Sequence, residues 1–187
     1  MPLFHCYMES KSLCQPDELK GCSLCCGLFN LKNISRTNLE RFLSGDYSTE
    51  ILNTVRDVTS HICIYQSFIA RGKPGCSLHP CVKGADERGK SLYGSKICDE
   101  YLCPAHFILN PDQKQLLISS VFDWYLYSIA ILDPISFCII YEYALSICKD
   151  KGIIAKLISQ ALNLHGENLK NCSYPLFFYS VPEYTTG

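Results

Sequence analysis

Apolar residues recur at helical spacing through the last third of the chain. Asn110-Pro111-Asp112 supplies a cap followed by proline at the first helical position, which predicts a helix from Pro111 to about Leu132. Asp133-Pro134 repeats the device and opens a second helix, expected to end at Lys149, Lys151 and Gly152, where the helix dipole and a C-cap favour cations and glycine. A third is expected from about Ile153 to Leu164. It carries Ile154, Leu157, Ile158, Ala161 and Leu162 on one face, with Gly166 beyond its end. Three helices this apolar, joined by short connections, are expected to pack antiparallel as the main core. The tail from Tyr174 to Gly187 is rich in aromatic residues and is expected to lie extended on that core.

The pattern upstream is more broken. Thr37 and Glu40 stand at capping-box spacing before a stripe of Leu39, Phe42 and Leu43, and Gly45 is placed to stop the helix. A second short helix is expected after Ser48 or Thr49, carried by Ile51, Leu52, Val55 and Val58. From His61 to Cys103 the periodicity changes: Ile62, Ile64, Phe68 and Ile69 suggest short strands, and Gly72-Lys73-Pro74-Gly75 reads as a turn. The remainder reads as glycine-rich loop. The expected fold class is therefore mainly α: a cysteine-rich irregular part with short helices and strands, spanning 1–107, packed on a C-terminal three-helix bundle within 108–187. The two regions are read as one integrated domain.

Composition narrows the function classes. The chain has 187 residues, 48% of them hydrophobic, and a net charge of −1. That length can bury a sizeable core, and the charge indicates no nucleic-acid partner. The most apolar stretch, Leu116 to Cys148, is interrupted by Asp123, Asp133 and Glu142, so no uncharged run approaches the ~20 residues a membrane span needs.

The cysteines change the picture most. There are thirteen, an odd number that cannot pair completely within one chain. Met1-Pro2-Leu3-Phe4-His5-Cys6 has neither the basic nor the apolar segment of a secretory signal, so a cytoplasmic location with reduced thiols is expected. Cys22-x-x-Cys25 is the tight turn with which two thiolates grip one metal, and Cys98 and Cys103 offer two more. Those last two would stand about 140° apart on one helix, so joint ligation requires the segment to unwind near Pro104. Cys25 and Cys26 diverge as chain neighbours and seldom serve one tetrahedral ion. That favours a polynuclear centre, or two centres, over a single ion. Arg71, Lys73, Lys83, Arg88, Lys90 and Lys96 outnumber Asp86 and Glu87 nearby, a field that favours thiolates. The same loop also reads as an ordinary solvated basic surface.

Taken together, Cys22-x-x-Cys25-Cys26, Cys63, Gly75-Cys76-x-Leu78-His79-Pro80 and Cys98-x-x-Tyr101-x-Cys103 resemble the cysteine-cluster family of zinc- or iron-chelating domains with the hallmark CxxCxxCC, the YkgJ-type proteins. The resemblance covers roughly residues 14–107. It implies a metal ligand set of Cys22, Cys25, Cys26, Cys63, Cys76, Cys98 and Cys103. Two departures stand out. Leu19 occupies the position of the hallmark's first cysteine, with Cys14 as the nearest substitute, and the Cys76–Cys98 loop is long and adds Cys81. Cys14, Cys81 and His79 are secondary candidates. Cys138 and Cys148, on an apolar helix, read as small buried hydrophobes.

The functional expectation is a cytoplasmic protein holding an iron–sulfur cluster or other multinuclear iron centre, serving redox, sensing or metal handling. A structural zinc module presenting a surface to a protein partner is the alternative, with Cys22, Cys25, Cys98 and Cys103 sufficient as ligands. A cluster-dependent protein-modifying enzyme is the second alternative. Relatives include flagellin lysine methylases, but no glycine-rich strand–turn–helix for a methyl-donor nucleotide is present here. Whether the chain is an enzyme stays open. His106, Asp99, Glu100 and Tyr101 read as supports beside ligands rather than as acids or bases.

Overall fold

The computed structural model describes residues 13–48 and 61–170. The second short helix expected after Ser48 and the aromatic tail lie outside the described residues. The rest is mainly helical, with one two-stranded sheet.

Helix α1 spans Arg36–Leu43 and buries Leu39, Phe42 and Leu43, the expected stripe. Its N-cap is Ser35 rather than Thr37, and no capping box forms. Arg36, in the first turn, is instead drawn away to Asp123, with nitrogen–oxygen distances of 2.8 and 2.5 Å. Strands β1, Gln66–Ala70, and β2, Lys73–Cys76, pair antiparallel with Gln66 opposite Cys76 and Ser67 opposite Gly75. The turn is thus shorter than composition suggested. Gly72 adopts φ 69°, while Lys73, Pro74 and Gly75 belong to the ladder. A strand proline is tolerated because a two-stranded sheet has only edges. Ile62 and Ile64 lie outside both strands.

Two short helices interrupt the expected loop, α2, Pro80–Lys83, and α3, Gly94–Glu100, and a third, α4, Ala105–Ile108, follows it. Then comes α5, Pro111–Ser120, whose start matches the expectation. Asn110 Oδ1 accepts from the Gln113 amide and Gln113 Oε1 accepts from the Asn110 amide, both at 2.9 Å, so a full capping box forms.

The single helix expected from Pro111 to Leu132 is broken. Val121 is extended, and α6 begins afresh at Trp124 and runs to Leu132. Asp123 accounts for the break: its carboxylate accepts from the Leu126 amide as an N-cap while holding Arg36 of α1. All nine residues of α6 are buried, so this short helix is the centre of the core. Helix α7, Pro134–Ile147, turns away from α6 by 108° at Asp133, rather than reversing as an antiparallel neighbour would. Helix α8 spans Lys151–Lys170 and absorbs Lys151, Gly152 and Gly166, which were expected at helix ends. Asp150 accepts from the Ile153 amide and starts it. Gly166 is buried where α8 crosses α6; a side chain there would sit 3.5 Å from the Tyr125 ring.

The core does not respect the boundary near residue 107. Leu13, Leu24, Leu28, Phe29, Leu31 and Ile34 share one apolar cluster with α6 and α8. The Phe68 ring meets Trp124 edge-on at 5.7 Å, which seats the hairpin on α6. Among the described residues no single helix is long and apolar enough to cross a membrane; α6 and α7 together reach that composition, but across the 108° bend.

Candidate metal centre

Glycines next to the cysteines allow distant segments to touch. Gly27 follows Cys26, has φ 84°, and faces the His61 carbonyl so closely that a Cβ would lie 2.1 Å from its oxygen. This approach lets Cys63 donate its amide to the Cys26 carbonyl at 2.9 Å. Gly21 precedes Cys22, and a Cβ there would lie 2.3 Å from the Pro74 carbonyl oxygen of β2. The Lys73 ammonium donates to the Asp17 carbonyl at 2.6 Å and reinforces that contact. Cys22 donates its amide to the Cys14 carbonyl at 2.8 Å. Backbone contacts thus join Cys14 to Cys22 and Cys26 to Cys63, while the hairpin register sets Cys76 opposite Gln66.

Gln66 links two of these segments. It is fully buried and donates Nε2 to the Cys26 carbonyl at 3.1 Å. Helix α3 carries Cys98, whose sulfur lies 3.2 Å from Ser91 Oγ. The helix ends at Glu100, and Tyr101 is extended, so Cys103 lies outside it. The unwinding required for Cys98 and Cys103 to serve one neighbourhood is present. Cys103 is buried, and its carbonyl accepts from the His106 amide at 2.9 Å at the start of α4. His106 Nε2 in turn lies 3.6 Å from Cys14 Sγ.

The thiols influence one another's ionisation. Burial pushes the Cys22 thiol well up, and Cys25, Cys103 and Cys14 add to that by opposing a further negative charge. Cys25 and Cys26 share a sulfur–sulfur hydrogen bond that lowers the acceptor Cys25 and raises the donor Cys26. Cys63 and Cys76 also raise Cys26. Cys76 and Cys98 are raised first by burial, with Cys63 contributing to each. Cys103 is raised by burial and by Cys25. Arg88 works the other way and favours thiolate at both Cys76 and Cys98. Its guanidinium is itself held by Asp86 and Asp99 at 2.8 and 3.0 Å, so much of the basic loop is neutralised locally.

All seven principal candidates, and Cys14, lie outside any disulfide. Cys81 is exposed and disulfide-bonded, which withdraws it as a thiolate donor and runs against a uniformly reduced chain. His79 caps α2, its Nδ1 accepting from the Cys81 amide at 3.2 Å. Leu19, at the hallmark's missing first cysteine, is 63% exposed. The sequence reading missed the contact between Cys14 and His106, because nothing local joins positions 92 residues apart. Cys138 and Cys148, expected to be buried on one helix, are only partly buried against the main core, and Cys148 is extended just past the end of α7.

Among the described residues, no three Cys, His, Asp or Glu side chains stand close enough to close around an ion. Ligation therefore requires the sulfurs to draw inward. The donors by type, thiols with one imidazole, are those a thiophilic metal takes. Three buried atoms near these cysteines lack hydrogen-bond partners, Gln15 Oε1 beside Cys14, Ser23 Oγ beside Cys22 and Gln66 Oε1 on the strand residue opposite Cys76. Ser23 is able to donate to a metal-bound sulfur, as supporting groups at thiolate centres do. A groove of about 970 Å³ lined by Leu116, Phe122, Tyr141, Leu145 and Ile154 lies elsewhere and includes none of these thiols. Comparisons with protein-family models, with curated proteins and with solved structures found no match.

Proposed function

We propose that this chain is a metal-binding protein whose clustered thiolates hold an iron–sulfur cluster or other multinuclear iron centre, for redox, sensing or metal handling in a cytoplasmic setting. One observation carries the reading: cysteines from five separate segments, around positions 22–26, 63, 76, 98 and 103, are folded into a single electrostatic neighbourhood. Burial and mutual repulsion keep these thiols protonated in the metal-free chain, and a bound cation would favour their thiolates with release of protons. The sequence motif supplies more cysteines than one zinc accepts, and the adjacent Cys25–Cys26 pair suits a centre with more than one metal atom. The likeness of the cysteine spacing to the YkgJ-type chelating domains points the same way.

Anaerobic purification followed by iron, zinc and acid-labile sulfide determination tests this. Brown protein with iron and sulfide supports the iron–sulfur form. One zinc per chain without iron selects the structural zinc module instead. A chain that binds neither metal when its thiols are reduced would overturn the reading.

A further inference from the structure

Helix α7 is apolar on every side, with Glu142 its one charged residue. A helix of that kind is expected to be enclosed. One face meets the expectation through Phe137 and Ala144, which are buried. Another does not: Ile135, Ile139, Tyr143 and Ile147 are 52, 66, 66 and 52% exposed. Standing four positions apart, these side chains form a single ridge along the helix. Beside the ridge lies a groove of about 310 Å³ between α7 and α8, walled by Ser136, Ile140, Ala161 and Asn168, with Leu164 of α8, 67% exposed, on its α8 side. Among the described residues no Lys, Arg, Asp or Glu lines that groove.

The pattern of the ridge indicates what covers it. Its four apolar positions are spaced evenly about position 141, so a reversed copy of the helix presents apolar side chains at the same four places. Ridges of this kind interdigitate in the commonest class of helix packing, and a two-fold axis requires such a self-matching patch. Reversal also opposes the two helix dipoles. Five side chains exposed to this degree amount to about three whole ones. At ~200 Å² for a large side chain they offer ~600 Å² per copy and ~1,200 Å² per pair, which reaches the lower bound of a specific interface. A membrane surface fits less well, because α7 carries no Lys or Arg for anionic headgroups.

We propose that this face is a homodimer interface, in which α7 of one copy packs antiparallel on α7 of a second about a two-fold axis near position 141. Ile139 of each copy then meets Tyr143 of the other, and Ile135 meets Ile147. The interface is independent of the metal reading and uses none of the candidate ligands.

Sedimentation equilibrium of the full chain tests this, in reductant so that disulfide-linked pairs are removed. The unsubstituted protein is expected to reach twice the chain mass as its concentration rises. Ile139→Glu and Tyr143→Lys are each expected to show the single-chain mass. Both positions are exposed, so the far-UV circular dichroism of each variant should match that of the unsubstituted chain. Mixing the two variants in equal amounts is expected to restore the double mass. The introduced carboxylate then faces the introduced ammonium across one half of the axis, while the other half keeps Ile139 on Tyr143. A mixture that stays monomeric would overturn the antiparallel register. A dimer that survives both substitutions would place the contact elsewhere on the molecule and overturn the interface. A single-chain mass for the unsubstituted protein at every concentration would also overturn it, and binding of that monomer to phosphatidylcholine–phosphatidylserine vesicles would assign the face to a lipid surface instead.

Discussion

Tyr127 donates its phenolic hydroxyl to the Leu13 carbonyl at 2.9 Å, joining positions 114 residues apart, with both residues enclosed by the core. The bond fixes the start of the Cys14 segment to the most buried helix of the molecule. It also explains why the region before residue 107 is no appendage: the chain that carries Cys14 and Cys22 leans directly on α6.

Tyr127→Phe should therefore disturb both stability and the thiol array. The substitution leaves the Leu13 carbonyl buried without its partner, at a cost of about 1–3 kcal/mol. Urea unfolding followed by far-UV circular dichroism measures it. Loss of metal from the bound form should accompany that destabilisation, since Leu13 adjoins Cys14. A stability change within a few tenths of a kcal/mol would show that the Leu13 carbonyl is otherwise satisfied.

Gly27 and Gly45 provide a matched comparison. Both hold positive φ, 84° and 94°, so alanine at either incurs the left-handed penalty of about 1–2 kcal/mol. At Gly45 nothing lies within 4 Å of the added methyl, and the cost should stop there. At Gly27 the methyl would meet the His61 carbonyl oxygen at 2.1 Å, so the backbone leading to Cys63 must move. Gly27→Ala should be the more destabilising and should weaken metal retention; Gly45→Ala should leave retention unchanged. Equal effects of the two on metal content would remove the role given to this close approach.

Much of the fold was legible where its cause is local. The Asn110-Pro111 and Asp133-Pro134 caps mark real helix starts, and the Leu39, Phe42 and Leu43 stripe is buried. Errors fell where the cause is distant. The break before α6 depends on Asp123 holding Arg36, 87 residues away. Gly166 lies inside a helix because it packs on Tyr125, and Lys73-Pro74-Gly75 is a strand because β1 pairs with it. The cysteine spacing is a pattern along the chain. It did not identify which segments touch, since that is set by Gly21, Gly27 and the backbone bonds at Cys14 and Cys26.

Asp133 should impose an acid limit on the helical region. Its carboxylate caps α7 through the Ser136 amide at 3.0 Å and holds His165 of α8 at 3.0 Å. The His165 contact, more than any other influence, lowers its pKa to about 2. A carboxyl depressed in the folded state stabilises above its unfolded pKa near 4, and that contribution disappears as pH falls towards 2. Solvent screening of this partly exposed pair holds the amount to about 1 kcal/mol. The stability difference between the unsubstituted chain and Asp133→Asn, measured by denaturant unfolding, should be largest above about pH 5 and shrink towards zero near pH 2. A difference independent of pH would show that the carboxylate charge contributes nothing.

The cysteines should separate by consequence rather than by number. Cys26, Cys63, Cys76 and Cys98 face one another's charge inside the array, where a neutral serine hydroxyl is a poor replacement for thiolate. Serine at any of them should lower bound metal. Cys138 and Cys148 pack at the edge of the main core and, apart from the Asp150 amide reaching Cys148 Sγ at 3.3 Å and the Gln113 side chain bonding Cys138, contribute apolar volume. Alanine at either should leave metal content unchanged and cost roughly 1 kcal/mol of packing. Metal analysis of the purified variants, paired with their unfolding midpoints, separates the two effects. Loss of metal from Cys148→Ala at unchanged stability would place a ligand outside the array and redraw the centre.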